Sequence, residues 1–300
     1  HLDYHNTMKA YWRCKKEFFT KILQSGKRNH PGCAVINTDD PKGRELAARL
    51  APPVLTTGLD SDADMTCRDI TDNISGIAAT LVMGDTSVKI ASPLTGRFNI
   101  ENILSAAGAA RAAGISSDAI KKGIEACTAI PGRLERIDNT QDRFVFVDYA
   151  HTPDALASIL EILSNRAENR LITVFGCGGD RDPSKRPLMA KAASKHSDIV
   201  IVTSDNPRSE DPEKIIDEIL PGIDNSIEKE NVIVEPDRTK ALDLAVRISK
   251  EKDTIVAAGK GHETYQIIKS GRIDFDDRRI LKQALEKMAE DAGKVVDGAH

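Results

Sequence analysis

The sequence predicts an α/β protein of two domains, the second a doubly wound parallel sheet, and three observations carry that expectation. From residue 144 onward, short β-branched runs alternate with helix-length amphipathic stretches. Each run ends in a loop containing Gly, Asp or Pro, where a parallel strand hands over to its crossover helix. The string Ile130-Pro131-Gly132-Arg133 breaks the pattern just ahead of the regular half. A chain of 300 residues also suits two domains at about 100–200 residues each. The division is therefore set at 1–131 and 132–300.

In the first domain a helix is expected over 6–23, then a strand over 33–37 and, after Asp39-Asp40-Pro41, a helix over 42–50. Short strands follow at 54–56 and 63–68. Two more, 79–83 and 88–91, flank Gly84-Asp85, a hairpin turn signal. Helices over 99–113 and 117–127 close the domain. In the second domain strands are expected at 144–149, 171–176, 199–204, 232–235 and 254–259, with helices at 153–167, 186–196, 212–220, 238–250 and 278–290.

Composition narrows the function classes. There are 42 Lys and Arg against 46 Asp and Glu, a net charge of −4, which argues against nucleic acid and membrane surfaces as partners. Aromatics make up 4%, too few for base-stacking platforms or an interfacial belt. The most apolar stretch, 103–115, is interrupted by Arg111, so no transmembrane helix is expected. The cysteines at 14, 33, 67, 127 and 177 are dispersed, without a CxxC pair or nearby His. That pattern suits a reducing cytoplasm and predicts neither a disulfide framework nor a zinc site. The chain begins with His rather than Met and shows no signal-peptide pattern, so it is expected to start within a longer protein.

In an open parallel sheet ligands bind beyond the carboxyl ends of the strands, and there the polar residues gather. DYAHTPD (148–154) follows the first strand of the second half, GCGGDRD (176–182) the second, DNPR (205–208) the third and GKGHE (259–263) the last. Any one loop reads equally as a turn with a helix cap; four charged loops on one edge predict a site. G-x-G-G-D-R is not G-x-G-x-x-G, so no NAD site is predicted. Arg181 and Arg208 offer planar forks for a carboxylate, while Asp205 and Glu263 can receive an ammonium. A ligand carrying both charges, such as an amino acid, fits them.

The strings HLDYH with YWRCK, SPLTGRFNIEN, PGRLE, VDYAHTPDAL, GCGGDRD with KRPLM, SDNPRSEDP and AGKGHE, in that order, resemble the Mur ligases over nearly the whole chain. Within that family they most resemble the members that add the third peptide residue in peptidoglycan synthesis. The fold so implied is the rear part of a truncated central ATPase domain followed by a Rossmann-like C-terminal domain that binds the amino acid. The reaction so implied uses ATP and magnesium to phosphorylate a carboxylate of UDP-N-acetylmuramoyl-L-alanyl-D-glutamate. An incoming amine then attacks the acyl phosphate to form an amide.

The resemblance also assigns residues. His1 would be a magnesium ligand, and Lys15, four residues after Tyr11, would be the lysine that the family carbamylates to an anion supporting magnesium; by itself Lys15 reads as a solvated helix lysine. Asn99 and Asn102 would lie near the adenine, and Arg133 and Asp148 near the phosphates and ribose. His151 would pack on the nucleotide or be satisfied locally. Lys185 and Arg186 are expected as solvated helix-start charges. DNPR resembles the form in ligases selecting meso-diaminopimelate, whose distal carboxylate Arg208 would hold. Arg181, Asp205, Asn206, Pro207, Gly259 and Glu263 would complete that pocket.

No GxxxxGK[ST] phosphate loop occurs in the sequence, and the uridine-nucleotide domain of the family has no counterpart here. This chain is therefore expected not to ligate by itself. The alternatives are a lysine-adding form, another Mur ligase or folylpolyglutamate synthase relative, and a non-catalytic remnant that binds an amino acid.

Overall fold

The computed structural model describes residues 7–23, 32–51, 53–60 and 62–297, and the chain divides into two compact units, His1–Thr128 and Ala129–His300. In the first unit, helix α1 (Met8–Glu17) is capped by Thr7, whose hydroxyl accepts the Ala10 N–H at 3.2 Å. It runs on into a single π-helical turn, Phe18–Ile22. Strand β1 (Ala34–Asn37) leads to α2 (Pro41–Ala47), which starts where Asp40 caps two backbone N–H groups and Pro41 supplies a preset φ. Strands β2 (Val54–Thr57), β3 (Met65–Asn73), β4 (Gly76–Met83) and β5 (Thr86–Ser92) complete a five-stranded sheet in chain order. Pairing is parallel from β1 to β3 and antiparallel from β3 to β5.

Strand β3 runs past the expected 63–68. Its second half is exposed and lacks apolar alternation; backbone pairing with β4, across a bulge between Arg68 and Thr71, carries it. Helices α3 (Arg97–Ala112) and α4 (Ser117–Ala126) follow. Helix α3 lies on β1, β2 and β3, and Gly108 permits the close approach, since a Cβ there would stand 2.7 Å from a Val35 methyl carbon.

The second unit opens with β6 (Glu135–Ile137), a three-residue strand below the reach of sequence patterning. The expected alternation follows as β7 (Phe144–Asp148), α5 (Pro153–Ser164), β8 (Leu171–Phe175), α6 (Lys185–His196), β9 (Ile199–Val202), α7 (Pro212–Ile219), β10 (Val232–Val234), α8 (Arg238–Ile248) and β11 (Thr254–Ala258). A hairpin, β12 (Tyr265–Ile268) and β13 (Gly271–Asp274), precedes α9 (Asp277–Asp297). No helix among the described residues is long and apolar enough to cross a membrane.

The strand order is β10-β9-β8-β11-β7-β6, parallel throughout except for β6. Strands β8, β9 and β10 step outward in one direction, and the chain then reverses to insert β11 between β7 and β8. Right-handed crossovers put the helices of a reversed step on the opposite face. Accordingly α8 and α9 pack on the side presented by Val145, Val147, Ile172, Val174, Ile201 and Ile255, while α5, α6 and α7 pack in series with one another.

One buried ion pair ties that second layer to the sheet. Arg238, the first residue of α8, donates from Nε to Asp277 Oδ1 at 2.8 Å and from Nη2 to Asp277 Oδ2 at 2.7 Å, and Nη2 also reaches the Ala258 carbonyl at 3.0 Å. Both side chains are fully buried. Removing one partner leaves a desolvated charge, so Asp277→Asn should cost roughly 3–5 kcal/mol, read by urea unfolding, whereas Arg238→Met combined with Asp277→Leu should recover most of it.

All five cysteines are thiols. Burial pushes the Cys67 thiol up to about 11 and that of Cys177 up to about 12. Alkylation with iodoacetamide at pH 8, followed by peptide mass spectrometry, should modify exposed Cys14 and Cys127 while Cys67 and Cys177 stay protected.

Candidate functional site

Because β7, β11, β8 and β9 are neighbouring parallel strands, the loops after all four meet at one edge. Backbone contacts knit them together. The Gly259 N–H donates to the Asp148 carbonyl at 3.0 Å, and the Gly179 N–H to the Asn206 carbonyl at 2.9 Å. The turn at Pro131 to Leu134 docks on the same edge. Gly132, at φ +68°, sits so close to Gly261 and His262 that a Cβ would meet the His262 nitrogen at 2.3 Å.

Asp205, Asn206, Pro207, Arg208, Gly259 and Glu263 come together here. Asn206 is buried and bonded through both its side-chain polar atoms. Its Oδ1 accepts from Lys260 Nζ at 3.1 Å and from the Ile267 N–H at 2.9 Å, which fixes the amide orientation, and Nδ2 donates to Glu263 Oε2 at 2.9 Å. Pro207 is buried, and its carbonyl lies where a Cβ on Gly179 would fall. Arg208 adopts a left-handed backbone at φ +53°, its N–H bonded to the Ile267 carbonyl at 3.0 Å. Its Nη1 donates to the Gly179 carbonyl at 2.7 Å and the Asn206 carbonyl at 3.3 Å. Nε and Nη2 have no hydrogen-bond partner among the described residues, so one edge of the guanidinium is free. Arg181 is exposed on the adjoining loop, and both arginines act on the carboxylate of Asp180.

Asp205 is a buried carboxylate with charges of both signs around it. Its carboxyl lies behind Gly259, where a Cβ would be 2.7 Å from Oδ2. Burial drives its pKa upward, opposed by the positive charges of Arg238 and Lys260 and reinforced by Glu263 and Asp277. Its backbone carbonyl accepts from Gln266 Nε2 at 2.6 Å.

At the end of β7, Asp148 is buried and both its oxygens are taken. Oδ2 accepts the Leu134 N–H and Oδ1 the Ala150 N–H, each at 2.7 Å. Burial raises its pKa, with those N–H groups and Arg133 pulling the other way. Arg133 is exposed, with its guanidinium carbon 5.7 Å from the centre of the Tyr149 ring. His151 is exposed too, its Nδ1 2.8 Å from the Tyr149 carbonyl and its ring 4.6 Å from that of Tyr149. His262 stands 5.3 Å away on the same ring.

In the first unit Asn99 is buried at 1% exposure, donating to the Thr95 carbonyl at 2.8 Å, while exposed Asn102 donates to Asn99 Oδ1 at 3.3 Å. Their three-residue spacing does put them on one helix face, with Asn102 outward. Lys15 is exposed in the last turn of α1, its Nζ 5.2 Å from the centre of the Tyr11 ring. His1 lies outside the described residues. Among the described residues no group of three or more His, Cys, Asp or Glu could hold a metal ion.

One expectation is corrected. Lys185 is exposed, but Arg186 is not a solvated charge: at 2% exposure it bonds Glu210 at 2.9 Å and Glu218 at 2.8 Å. Helix α6 turns it inward beneath the GCGGDRD loop, where two carboxylates replace its water. Sequence reasoning passed over Lys260, although it lies inside a quoted string, and over Tyr149. Gln266 gave no signal, because its hairpin strands are only four residues long.

The Mur ligase middle domain family matches residues 1–110, and the Mur ligase, glutamate ligase domain family matches residues 132–261. The UDP-N-acetylmuramoyl-L-alanyl-D-glutamate–2,6-diaminopimelate ligase of Geobacter metallireducens is 42% identical over 96% of this chain. The ligase of the same name from Gloeobacter violaceus is 44% identical over 96%. A solved structure of a ligase of that name superposes with a TM-score of 0.68 at 38% identity, covering 96% of this chain and 58% of its own. The chain spans 59% and 57% of the length of the two curated relatives. With both domain families matched in order, the chain belongs to the Mur ligase family and carries its middle and glutamate ligase domains.

Proposed function

We propose that this chain provides the central and C-terminal parts of an ATP-dependent ligase joining meso-diaminopimelate to UDP-N-acetylmuramoyl-L-alanyl-D-glutamate in peptidoglycan synthesis. Residues 1–131 belong to the central, ATP-binding part and residues 132–300 to the C-terminal, amino-acid-binding part, which also supplies Arg133, Asp148 and His151 to the nucleotide. The observation that carries the reading is the free edge of Arg208. With Nη1 locked by two carbonyls, Nε and Nη2 form a fixed fork for a planar carboxylate. A diaminopimelate distal carboxylate fills it, and Glu263 takes the neighbouring ammonium, with Asp205 adding negative charge from behind Gly259 and Arg181 closing the rim. L-lysine lacks that carboxylate and would leave Arg208 unpaired.

For the nucleotide, exposed Asn102, backed by Asn99, suits the adenine edge, and Arg133 and His151 around Tyr149 suit phosphate and ring contacts. Asp148 takes one N–H bond on each oxygen, the one from Leu134 holding that turn beneath them, and the second lone pair of a carboxylate oxygen is what would accept a ribose hydroxyl. Lys15 as an ammonium repels magnesium, and only its carbamate, an anion, would support the metal together with His1. Magnesium would stabilise the charge that develops on the phosphoryl group. ATP and reduced thiols both accord with a cytoplasmic setting.

Since phosphoryl transfer needs a phosphate loop that these 300 residues do not contain, binding is the readout for this chain. Isothermal titration should show meso-diaminopimelate binding more tightly than L-lysine. Arg208→Asn should weaken diaminopimelate roughly thirtyfold or more while leaving lysine almost unchanged. Equal affinity for the two ligands, or no effect of the substitution, would overturn the assignment.

A further inference from the structure

Lys260 is fully buried, yet the amino-acid reading gives it no task. Its ammonium lies between the rings of Tyr265 and Phe275, 5.8 and 5.7 Å from their centres, and donates to Asn206 Oδ1 at 3.1 Å and Glu263 Oε2 at 3.2 Å. Asn206 Nδ2 donates to that same Glu263 oxygen at 2.9 Å. A buried lysine is costly unless a specific charge partner compensates it, and here the partner is a carboxylate whose side chain is 16% exposed. One oxygen of Glu263 is thereby anchored by two donors. The other, Oε1, has no hydrogen bond from the described residues and is left for the pocket.

We propose that Lys260 is a positioning residue: its buried ammonium, with Asn206, clamps one oxygen of Glu263 so that the other meets the ammonium of an incoming amino acid. The ligand part of this inference rests on the amino-acid reading above; the clamp itself does not. Asn206, a candidate ligand contact from sequence, acts on this view through Glu263. Without Lys260, Asn206 Oδ1 and Glu263 Oε2 lose their shared donor, and the carboxylate is held by Asn206 Nδ2 alone. A mere core lysine would instead affect stability without coupling to Glu263.

Two measurements on the full chain separate the parts. In the ligand-free protein, hydrogen exchange of the Asn206 side-chain amide, followed by NMR, should be slow relative to exposed Asn102. Lys260→Met should bring it to the rate of Asn102, whereas Lys260→Arg, which keeps a buried cation, should preserve much of the protection. Should the Met variant fail to fold, Lys260→Gln makes the same comparison. In titrations with meso-diaminopimelate, Lys260→Met should weaken binding about tenfold or more. Combined with Glu263→Gln, it should weaken binding no further than Glu263→Gln alone.

Unchanged Asn206 protection in a folded Lys260→Met variant, or losses that simply add, would overturn the clamp. If the wild-type chain binds neither diaminopimelate nor lysine while Asn206 protection still depends on Lys260, the amino-acid reading fails and the clamp stands.

Discussion

Strand β11 hydrogen-bonds β7 along one side and β8 along the other, and the candidate site depends on that double pairing. Four loops remote in sequence become neighbours only because the last strand of the sheet enters at its centre. The GKGHE loop then lies between the loops after β7 and β8, and its backbone meets Asp148 on one side while Gly259 covers Asp205 on the other. A strand added at the sheet's outer edge would have left Glu263 without Asn206 opposite it. The buried Arg238–Asp277 pair reinforces the arrangement, because it binds both helices of one layer to the carbonyl of Ala258, the last residue of β11.

Charge at this edge is organised by burial. Arg238, Asp277, Lys260 and Asp205 all lie at 8% exposure or less, where an unpaired ion would cost several kcal/mol. Arg238 and Asp277 neutralise each other with bidentate geometry, and Lys260 is matched to Glu263. Asp205 has no hydrogen bond to its carboxylate from the described residues, and burial raises its pKa against the pull of Arg238 and Lys260. The groups nearer solvent, Arg208 and Glu263, each keep one edge unbonded. Bidentate or clamped pairs thus lie deepest, while Asp205, Arg208 and Glu263 keep polar atoms unbonded by the described residues.

The loops that carry these groups are held by one another more than by the sheet. Gly179 bonds Asn206, Arg208 bonds Gly179, Asp180 bonds Ser209, and Arg186 bonds Glu210. Arg208 and Asp180 both hold left-handed backbones at φ +53°, an uncommon conformation for residues with a Cβ. These cross-links oppose relaxation. Hairpin β12–β13 adds a further brace by bonding the DNPR loop from above through Gln266 and Ile267. Cross-links of this kind fix the orientation of the Arg208 guanidinium.

The sequence by itself determined the alternation of strands and helices in the second unit, the turn at Gly84-Asp85 and the four loops that carry the polar residues. Period, caps and β-branched runs are local properties, so they are written locally. It also carried the motif order that marks the family. What only the tertiary structure decided was strand order, the inward turn of Arg186, the brace from a short hairpin, and which charge faces which. Those outcomes arise from pairings such as Asn206 with Glu263 and Arg238 with Asp277, separated by 57 and 39 positions. A residue's own neighbours in the chain exert no force that would reveal such partners.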